Sequence, residues 1–403
     1  MANSDPAGKG FGIFLGYGLR PFFLFAGLYA ALAMLVWIGW LALHAMNGIV
    51  LEPMSHFPAL LWHGHEMLFG YVVAVIAGFL LTAVPNWTGS PMLGRTRLML
   101  LTAVWCAGRL AMWFGAALPG WLVAAIDVPF PIILAAMVVG PLWQKRAPRN
   151  YVFVAVLFAI ATANFFVHAE VLGWFEDSAR TGFVLGIDVV LLLMTVVGGR
   201  IVPAFTTGAL RAEDVTLRSS NLLDKLAIAS VLAVGITDLA LPDSFSSGVC
   251  ALIAGTALGL RMIGWRTGKT LDKPILWVLH LGYGWIAFAL LLKGIAETTS
   301  WVSSVTAMHG LTVGAIGTLT LGVMSRAALG HTGRPLVASR ALALAYGAVS
   351  LAALTRLFGP EILPDWYTEV MIASGVLWVV AFGIFTTLFW PVLTRPRVDG
   401  QPG

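Results

Sequence analysis

The sequence predicts an all-α protein, a polytopic membrane bundle of about twelve transmembrane helices, and its composition is the first reason. Of 403 residues, 59% are hydrophobic and 11% are charged, whereas ordinary soluble domains carry roughly 25% charged residues. Long apolar runs and an alternating pattern of charge between them are the second and third reasons. Lipid is therefore the expected solvent for most of the fold.

Twelve apolar runs are each long enough to cross a hydrocarbon core of about 30 Å. Short segments rich in Pro, Gly, Asn or charge separate them. We therefore expect residues 1–403 to form a single integral-membrane domain with short cytoplasmic termini, residues 1–20 and 394–403. The runs are 22–45, 61–84, 98–117, 121–143, 152–174, 182–205, 222–241, 245–265, 274–296, 305–327, 340–358 and 366–393.

Positive charge predicts the orientation, because Lys and Arg collect on the cytoplasmic side of a membrane. Basic residues such as Arg95 and Lys145 occupy every second loop, and acidic residues such as Glu176 and Glu361 occupy the alternate loops. Both termini are therefore expected in the cytoplasm. The net charge of +5 does not indicate a nucleic-acid partner, since these charges are not gathered on one soluble face.

The two cysteines, Cys106 and Cys250, lie inside apolar runs, and the sequence has no CxxC or CxxCH motif. This excludes a disulfide framework, an iron–sulfur site and covalently attached c-type haem. Any haem would therefore be haem b.

A faint internal repeat links the second, sixth and tenth apolar runs. In the second and tenth runs, Pro91 and Pro335 follow a Thr-Gly pair at the same distance, and Gly78 and Gly322 precede it at the same distance. The spacing of the three pairs would suit three four-helix units. The pairs are Thr88-Gly89, Thr207-Gly208 and Thr332-Gly333.

Histidine is the most informative residue type, because an ionisable side chain at membrane depth costs at least about 2.5 kcal/mol and usually serves a function. With the predicted orientation, five histidines lie at one level near the outer face. Imidazoles from different helices could supply haem axial ligands and a copper site. The five are His44, His63, His65, His168 and His309.

His63 and His65 point about 200° apart on a helix, so we expect one of them to face haem and the other copper. Glu66 could orient an imidazole or carry protons. For His44, and for His280 nearer the cytoplasmic side, a hydrogen bond to a neighbouring helix is favoured over metal ligation.

Two arginines within apolar runs, Arg109 and Arg200, need partners in the bundle. Either could clamp a haem propionate. A salt bridge to Asp188 or Glu170 explains them equally well.

Four segments of the sequence form long, specific motifs: GYGLRPFF at 16–23, WHGHEMLFGYVVAVIAGFLLTAVPNWTG at 62–89, GGRIVPAFT at 198–206 and HGLTVGAIGTLTLGVMSRAALGHTGRP at 309–335. These segments resemble the NnrS family. NnrS proteins are twelve-helix bacterial membrane proteins that contain haem and copper and are linked to nitric oxide metabolism and nitrosative stress. The resemblance therefore implies these properties and a place in the bacterial inner membrane.

The family motifs carry over residue by residue. His63, His65 and Glu66 match the WHxHE segment, and His309 matches HxLTxGxxGTxTLGVM. Arg20 and Arg200 match the RPFF and GGR segments, and His331 and Arg334 match GHTGRP. The resemblance therefore adds Arg20 to the expected cofactor-binding residues and His331 to the expected metal ligands.

The sequence is consistent with three functions. The first is a haem-copper protein that binds nitric oxide and reduces it as a quinol-dependent nitric oxide reductase, with Glu66 or Glu170 supplying protons. The second is a sensor or scavenger of NO or metal without turnover. The third is a proton-coupled transporter in which Glu66, Glu170, Asp188 and Arg200 form a relay.

Overall fold

The computed structural model describes residues 12–47, 55–211, 217, 220–299 and 301–401. All regular secondary structure within these ranges is helical, and no strand occurs among them. The prediction of an all-α fold is therefore confirmed. Residues 1–11 of the predicted cytoplasmic N-terminal segment lie outside the described ranges.

Helices occupy the positions of the first six apolar runs. Helix α4 is interrupted at Val128, because Pro129 cannot donate a backbone hydrogen bond within a helix. The helices are α1 Leu19–Asn47, α2 Ala59–Thr88, α3 Arg95–Trp113, α4 Gly120–Gln144, α5 Val152–Val171 and α6 Ser178–Ala209.

The last six apolar runs are helical as well. Side-chain oxygens of Ser220, Ser244 and Ser339 accept hydrogen bonds from backbone N–H groups at the starts of three of these helices, as expected for N-caps. The helices are α7 Asn221–Ala240, α8 Phe245–Ile263, α9 Pro274–Thr299, α10 Ser304–His331, α11 Arg340–Ile362 and α12 Tyr367–Thr394.

The predicted count of about twelve membrane spans is not confirmed, since ten helices in the described part of the chain are long and apolar enough to cross a membrane. The two that fall short are α3 and α7. Helix α3 carries Arg109, and α7 carries Asp224, Lys225 and Asp238. Several of these charges are paired with other helices, as described below, so their cost in lipid is reduced within the protein.

The chain divides into two compact units. The first contains Met1–Gly186, Met324–Leu336 and Phe382–Gly403, and the second contains Ile187–Val323 and Val337–Ala381. Each unit has its own buried apolar side chains, such as Phe22 and Phe382 in the first and Tyr283 and Trp378 in the second.

Helices α2 and α10 share an unusual backbone feature. Each begins with a short α-helical piece that ends in a histidine, His65 or His309, and continues with a π-helical segment, Glu66–Val72 or Gly310–Gly317. π-helical segments are rare and often mark functional sites. The two histidines have the same separation along the chain as Gly78 and Gly322.

The packing of these two helices repeats as well. An added Cβ on Gly78 would meet the Phe23 ring at 2.6 Å, and one on Gly322 would meet Leu279 at 3.0 Å. Likewise, Gly70 faces Tyr29 on α1 and Gly314 faces Trp285 on α9. Phe23 and Leu279 are separated along the sequence by the same number of residues as Tyr29 and Trp285. The pair α1–α2 and the pair α9–α10 are therefore related structures.

The third predicted member of the repeat differs from these two. Gly89 and Gly333 follow α2 and α10 with φ of 62° and 72°, the left-handed conformation of a helix C-cap. Gly208 instead lies inside α6 and is not among the described glycines with positive φ. The arrangement as three four-helix units therefore stays a prediction.

Gly282 on α9 provides a test of close helix packing. An added Cβ would lie 2.8 Å from the backbone nitrogen of Leu319 on α10, whereas one on Gly347 in α11 would meet nothing within 4 Å. We expect Gly282→Ala to lower the stability of the purified protein by about 1–3 kcal/mol, because the backbones must separate. Gly347→Ala should leave it unchanged or raise it by up to about 1 kcal/mol, through the higher helix propensity of Ala.

Thermal unfolding of both variants in one detergent, followed by size-exclusion chromatography, measures this difference. Equal melting temperatures for the two alanine variants would contradict the close approach of α9 and α10.

Candidate metal centre

Six polar side chains meet inside the first unit, at the end where α2 and α4 begin and α3 and α5 end. All six side chains are buried, with relative exposures of 6% or less. Antiparallel neighbours bring distant sequence positions to one level here, which is why residues from four helices converge. The six are His65 and Glu66 on α2, Arg109 on α3, Asp127 on α4, and Asn164 and His168 on α5.

The His65 ring has an oxygen near each of its nitrogens. Nδ1 lies 2.7 Å from Glu66 Oε1, and Nε2 lies 2.8 Å from Asn164 Oδ1 and 3.1 Å from Asp127 Oδ2. His168 Nε2 lies 3.1 Å from the same Asp127 oxygen. The Asp127 carboxylate therefore stands between two imidazoles.

Arg109 binds both carboxylates of the cluster. Its Nη1 donates to Glu66 Oε1 at 2.6 Å, and its Nη2 donates to Asp127 Oδ1. The salt bridge to Asp188 or Glu170 that we considered for Arg109 is therefore wrong. The acidic partners of Arg109 are instead Glu66 on α2 and Asp127 on α4.

The charges of the cluster do not balance without a further positive charge. When Glu66 and Asp127 are both ionised, Arg109 compensates one of the two negative charges. An uncompensated buried charge costs several kcal/mol, so the second requires a proton or a bound cation. One ligand atom each from His65, Asp127 and His168 lies within 4.8 Å of the others, a group that could hold a metal ion.

Aromatic side chains shield the two imidazoles. The Phe57 ring makes T-shaped contacts with His65 at 5.2 Å and with His168 at 5.0 Å between ring centroids. A small cavity of about 10 Å³ adjoins Arg109, Asp127 and Asn164. That volume has room for about one water molecule.

Glu66 keeps one oxygen without a partner. Glu66 Oε2 is buried and has no hydrogen bond among the described residues, and the same is true of Arg109 Nε. Buried polar atoms are normally satisfied, so these two are the atoms of the cluster with capacity for a further hydrogen bond. Glu66 is also the first residue of the π-helical segment.

His63 and His44 lie in a different environment within the same unit. The His63 ring stacks on Trp37 at 4.4 Å, Trp37 stacks on Trp40 at 5.2 Å, and Trp40 stacks on His44 at 5.2 Å between centroids. His63 therefore faces α1, whereas His65 faces α4 and α5. The structure does not bring these two predicted ligands together with His65 and His168.

Two predicted ligands belong to the second unit. His309 on α10 is half-buried, and its Nδ1 donates to the Val305 carbonyl at 2.7 Å. His280 is buried, with Thr206 Oγ1 2.8 Å from Nε2 and Thr267 Oγ1 2.9 Å from Nδ1. Hydrogen bonding, the alternative favoured for His280, accounts for both of its ring nitrogens.

Two further motif residues, Arg20 and His331, contact the C-terminal segment or its neighbours in the first unit. Buried Arg20 donates through Nη1 to the carbonyls of Leu393 at 2.9 Å and Arg395 at 2.8 Å. His331 Nδ1 lies 3.2 Å from the Tyr17 hydroxyl, and Arg397 donates to the His331 carbonyl. The Arg20 side chain thus binds backbone carbonyls, and the His331 ring lies beside a tyrosine hydroxyl.

Glu170 and Arg200 lie apart from the cluster. Glu170 Oε2 accepts a hydrogen bond from the Ala179 backbone N–H at 2.7 Å, near the start of α6. Arg200 is exposed. Their predicted roles in proton supply and cofactor binding stay predictions.

Sequence reasoning missed Asp127 and Asn164. Asp127 lies inside an apolar run, so the rule that we applied to buried arginines would have identified it. Asn164 is uncharged and carries no comparable signal. It matters because its Nδ2 donates to Asp127 Oδ2 at 2.7 Å and fixes the carboxylate.

The comparison with known families agrees with the motifs in the sequence. The NnrS family, described as NnrS protein, matches residues 13–397, almost the whole chain. No curated protein matches the chain significantly. The ten apolar helices and this match make the chain a multi-pass membrane protein of a family that is linked to metal binding, and membership indicates a role in the response to nitric oxide. The chain belongs to the NnrS family.

Proposed function

We propose that this protein binds nitric oxide at a copper ion held by His65, Asp127 and His168, and that it reduces NO in the bacterial inner membrane with both termini in the cytoplasm. The buried His-Asp-His group is the observation that carries the proposal. Family membership supplies the link to nitric oxide.

The donor set suits copper. Neutral imidazole is a good ligand for copper, and a carboxylate adds a negative charge. A bound cation would also compensate the second negative charge of the cluster, which Arg109 leaves unbalanced. Copper would supply a redox-active centre to which NO can bind.

The residues around the copper ligands have separate roles. Asn164 holds Asp127 through its Nδ2, and Glu66 Oε1 accepts from the other nitrogen of His65. Hydrogen bonds of this kind commonly orient the ligands of metal sites. Phe57 excludes water from the imidazole edges. These contacts would keep two imidazoles and one carboxylate oriented toward one point.

Family membership is the reason to propose haem b as a second cofactor of this protein. We do not place the haem in this cluster. Ligand pockets have volumes of about 300–1,000 Å³, whereas the cavity beside Asp127 has about 10 Å³. The side chains here therefore do not fit a macrocycle.

Reduction requires protons and electrons. Two NO, two electrons and two protons give N2O and water, and a quinol is the proposed electron donor. Glu66 is the proposed proton carrier, since its Oε2 is buried without a partner among the described residues. A carboxylate that can gain a proton while Arg109 stays bound to Oε1 can deliver that proton at the cluster.

A sensor or scavenger is the second candidate function, because the same cluster could bind NO without turnover. Purified protein, loaded with copper and supplied with NO and a reduced quinol, separates the two. Consumption of NO with formation of N2O supports the reductase. A spectral change without N2O supports the sensor, and no response to NO contradicts both.

Copper binding gives the first prediction at this site. His65→Ala and His168→Ala should lose stoichiometric copper, because each removes a ligand. Asn164→Ala should weaken copper affinity by about 10- to 100-fold, because it removes the amide that holds Asp127 in place. The matched control is His56→Ala, which removes an exposed histidine whose Nε2 lies 2.6 Å from the Leu118 carbonyl.

Metal analysis of the detergent-purified proteins and competition with a copper chelator measure these affinities. Wild-type copper content in His168→Ala, in protein that elutes as a single folded species, would contradict the assignment.

Proton delivery gives the second prediction. Glu66→Gln keeps the shape and one acceptor oxygen but cannot carry a proton, so copper content should stay within about 2-fold while NO consumption falls by about 100-fold or more. Glu361→Gln changes an exposed glutamate and should match the wild type. The readouts are bound copper and the rate of N2O formation with a quinol donor, and an unchanged rate in Glu66→Gln would remove Glu66 from this role.

A further inference from the structure

A second buried polar cluster lies entirely within the second unit. Lys293 Nζ donates to Asp238 Oδ1 at 3.0 Å and also to Glu297 Oε1, one turn along α9. Ser247 on α8 donates its hydroxyl to Asp238 Oδ1. Asp188 on α6 completes the cluster, packed against Gly235 on α7.

The cluster extends inward from one end of the unit. Asp238 and Glu297 lie within one turn of the ends of α7 and α9, and Ser247 lies within one turn of the start of α8. Gly235, which contacts Asp188, lies one turn inside Asp238 on α7. Asp188 is therefore the innermost acid of the group.

The number of acids exceeds the number of bases. Three carboxylates face one ammonium group, so full ionisation would leave two negative charges uncompensated in a membrane-spanning unit. Such charges are costly. The groups whose charges act on Asp188 are Asp238 from α7 and Lys293 and Glu297 from α9, and Ser247 from α8 is neutral.

The hydrogen bonds distinguish the three acids. Asp238 and Glu297 each accept a bond from the Lys293 ammonium group, which favours their charged forms. Asp188 is 9% exposed, and its Oδ2 is buried without a hydrogen-bond partner in the described part of the chain. Glu297 Oε2 is also unpartnered there, and both orphan oxygens lie on the acids around Lys293.

We propose that this cluster is a proton-binding site of the second unit, in which Asp188 takes up and releases the proton while Lys293 holds Asp238 and Glu297 ionised. The transfer moves one proton to an Asp188 carboxylate oxygen and lowers the uncompensated charge by one. This site is separate from the copper cluster in its residues and in its unit, so it does not depend on the proposed reaction with NO.

Infrared spectroscopy of the full-length protein in lipid vesicles tests the proposal, because a protonated carboxyl has a C=O band that shifts when H2O is replaced by D2O. We expect wild-type protein at neutral pH to show such a band, which disappears at alkaline pH. Asp188→Asn should lose the part of the band that Asp188 contributes, whereas the part that a protonated Glu66 in the first unit contributes should remain. Asp272→Asn, which changes an exposed aspartate with a side chain 71% exposed, should retain the whole band.

Lys293→Met provides a second test that does not alter Asp188. Lys293 is the one base among the described residues of this cluster. Its removal should cause a second carboxyl to take up a proton, so the area of the D2O-sensitive band should be larger than in the wild type. This variant keeps the proposal falsifiable if Asp188→Asn fails to fold.

Two results would overturn the proposal. One is a band of equal area in the wild type and Asp188→Asn, which would show that Asp188 is ionised. The other is loss of the wild-type band when sodium chloride replaces choline chloride at constant pH, which would make the site one for sodium rather than for protons.

Discussion

The ion pairs of Arg109 with Glu66 and Asp127 are the interaction on which the candidate site depends. In lipid, a guanidinium group must find acids within the protein, and here both come from neighbouring helices. Their positions fix His65 on one side and His168 on the other, because Asp127 contacts both rings. The Asp127 carboxylate therefore both neutralises Arg109 and positions the two candidate imidazole ligands.

Most of the fold was predictable from the sequence because lipid imposes simple rules. Apolar length and loop composition placed the helices to within a few residues, as α2 at Ala59–Thr88 shows for the run 61–84. The break in α4 at Val128 and the π-helical segments were not predicted. Both depend on local hydrogen bonding and packing, which hydropathy does not report.

The candidate site was predictable in part. His65, Glu66 and His168 could be proposed because ionisable residues are rare in membrane helices, and the structure brings these three together. Asp127 and Asn164 escaped notice because the first was read as part of an apolar run and the second has no charge. The predicted membrane depth could not separate His63 from His65. A shift of two residues along a helix changes the direction of a side chain far more than its depth in the membrane.

The π-helical segment after His65 has a consequence for how this helix can change. A π-type bond spans five residues where an α-type bond spans four, so the segment accommodates surplus chain without shifting the glycine contacts further along α2. Residues at the start of α2, around His65, can therefore change without moving the second half of the helix, where Gly78 contacts Phe23. The corresponding segment in α10 gives that helix the same freedom, which would let two related scaffolds keep one packing pattern while carrying different polar groups beside His65 and His309.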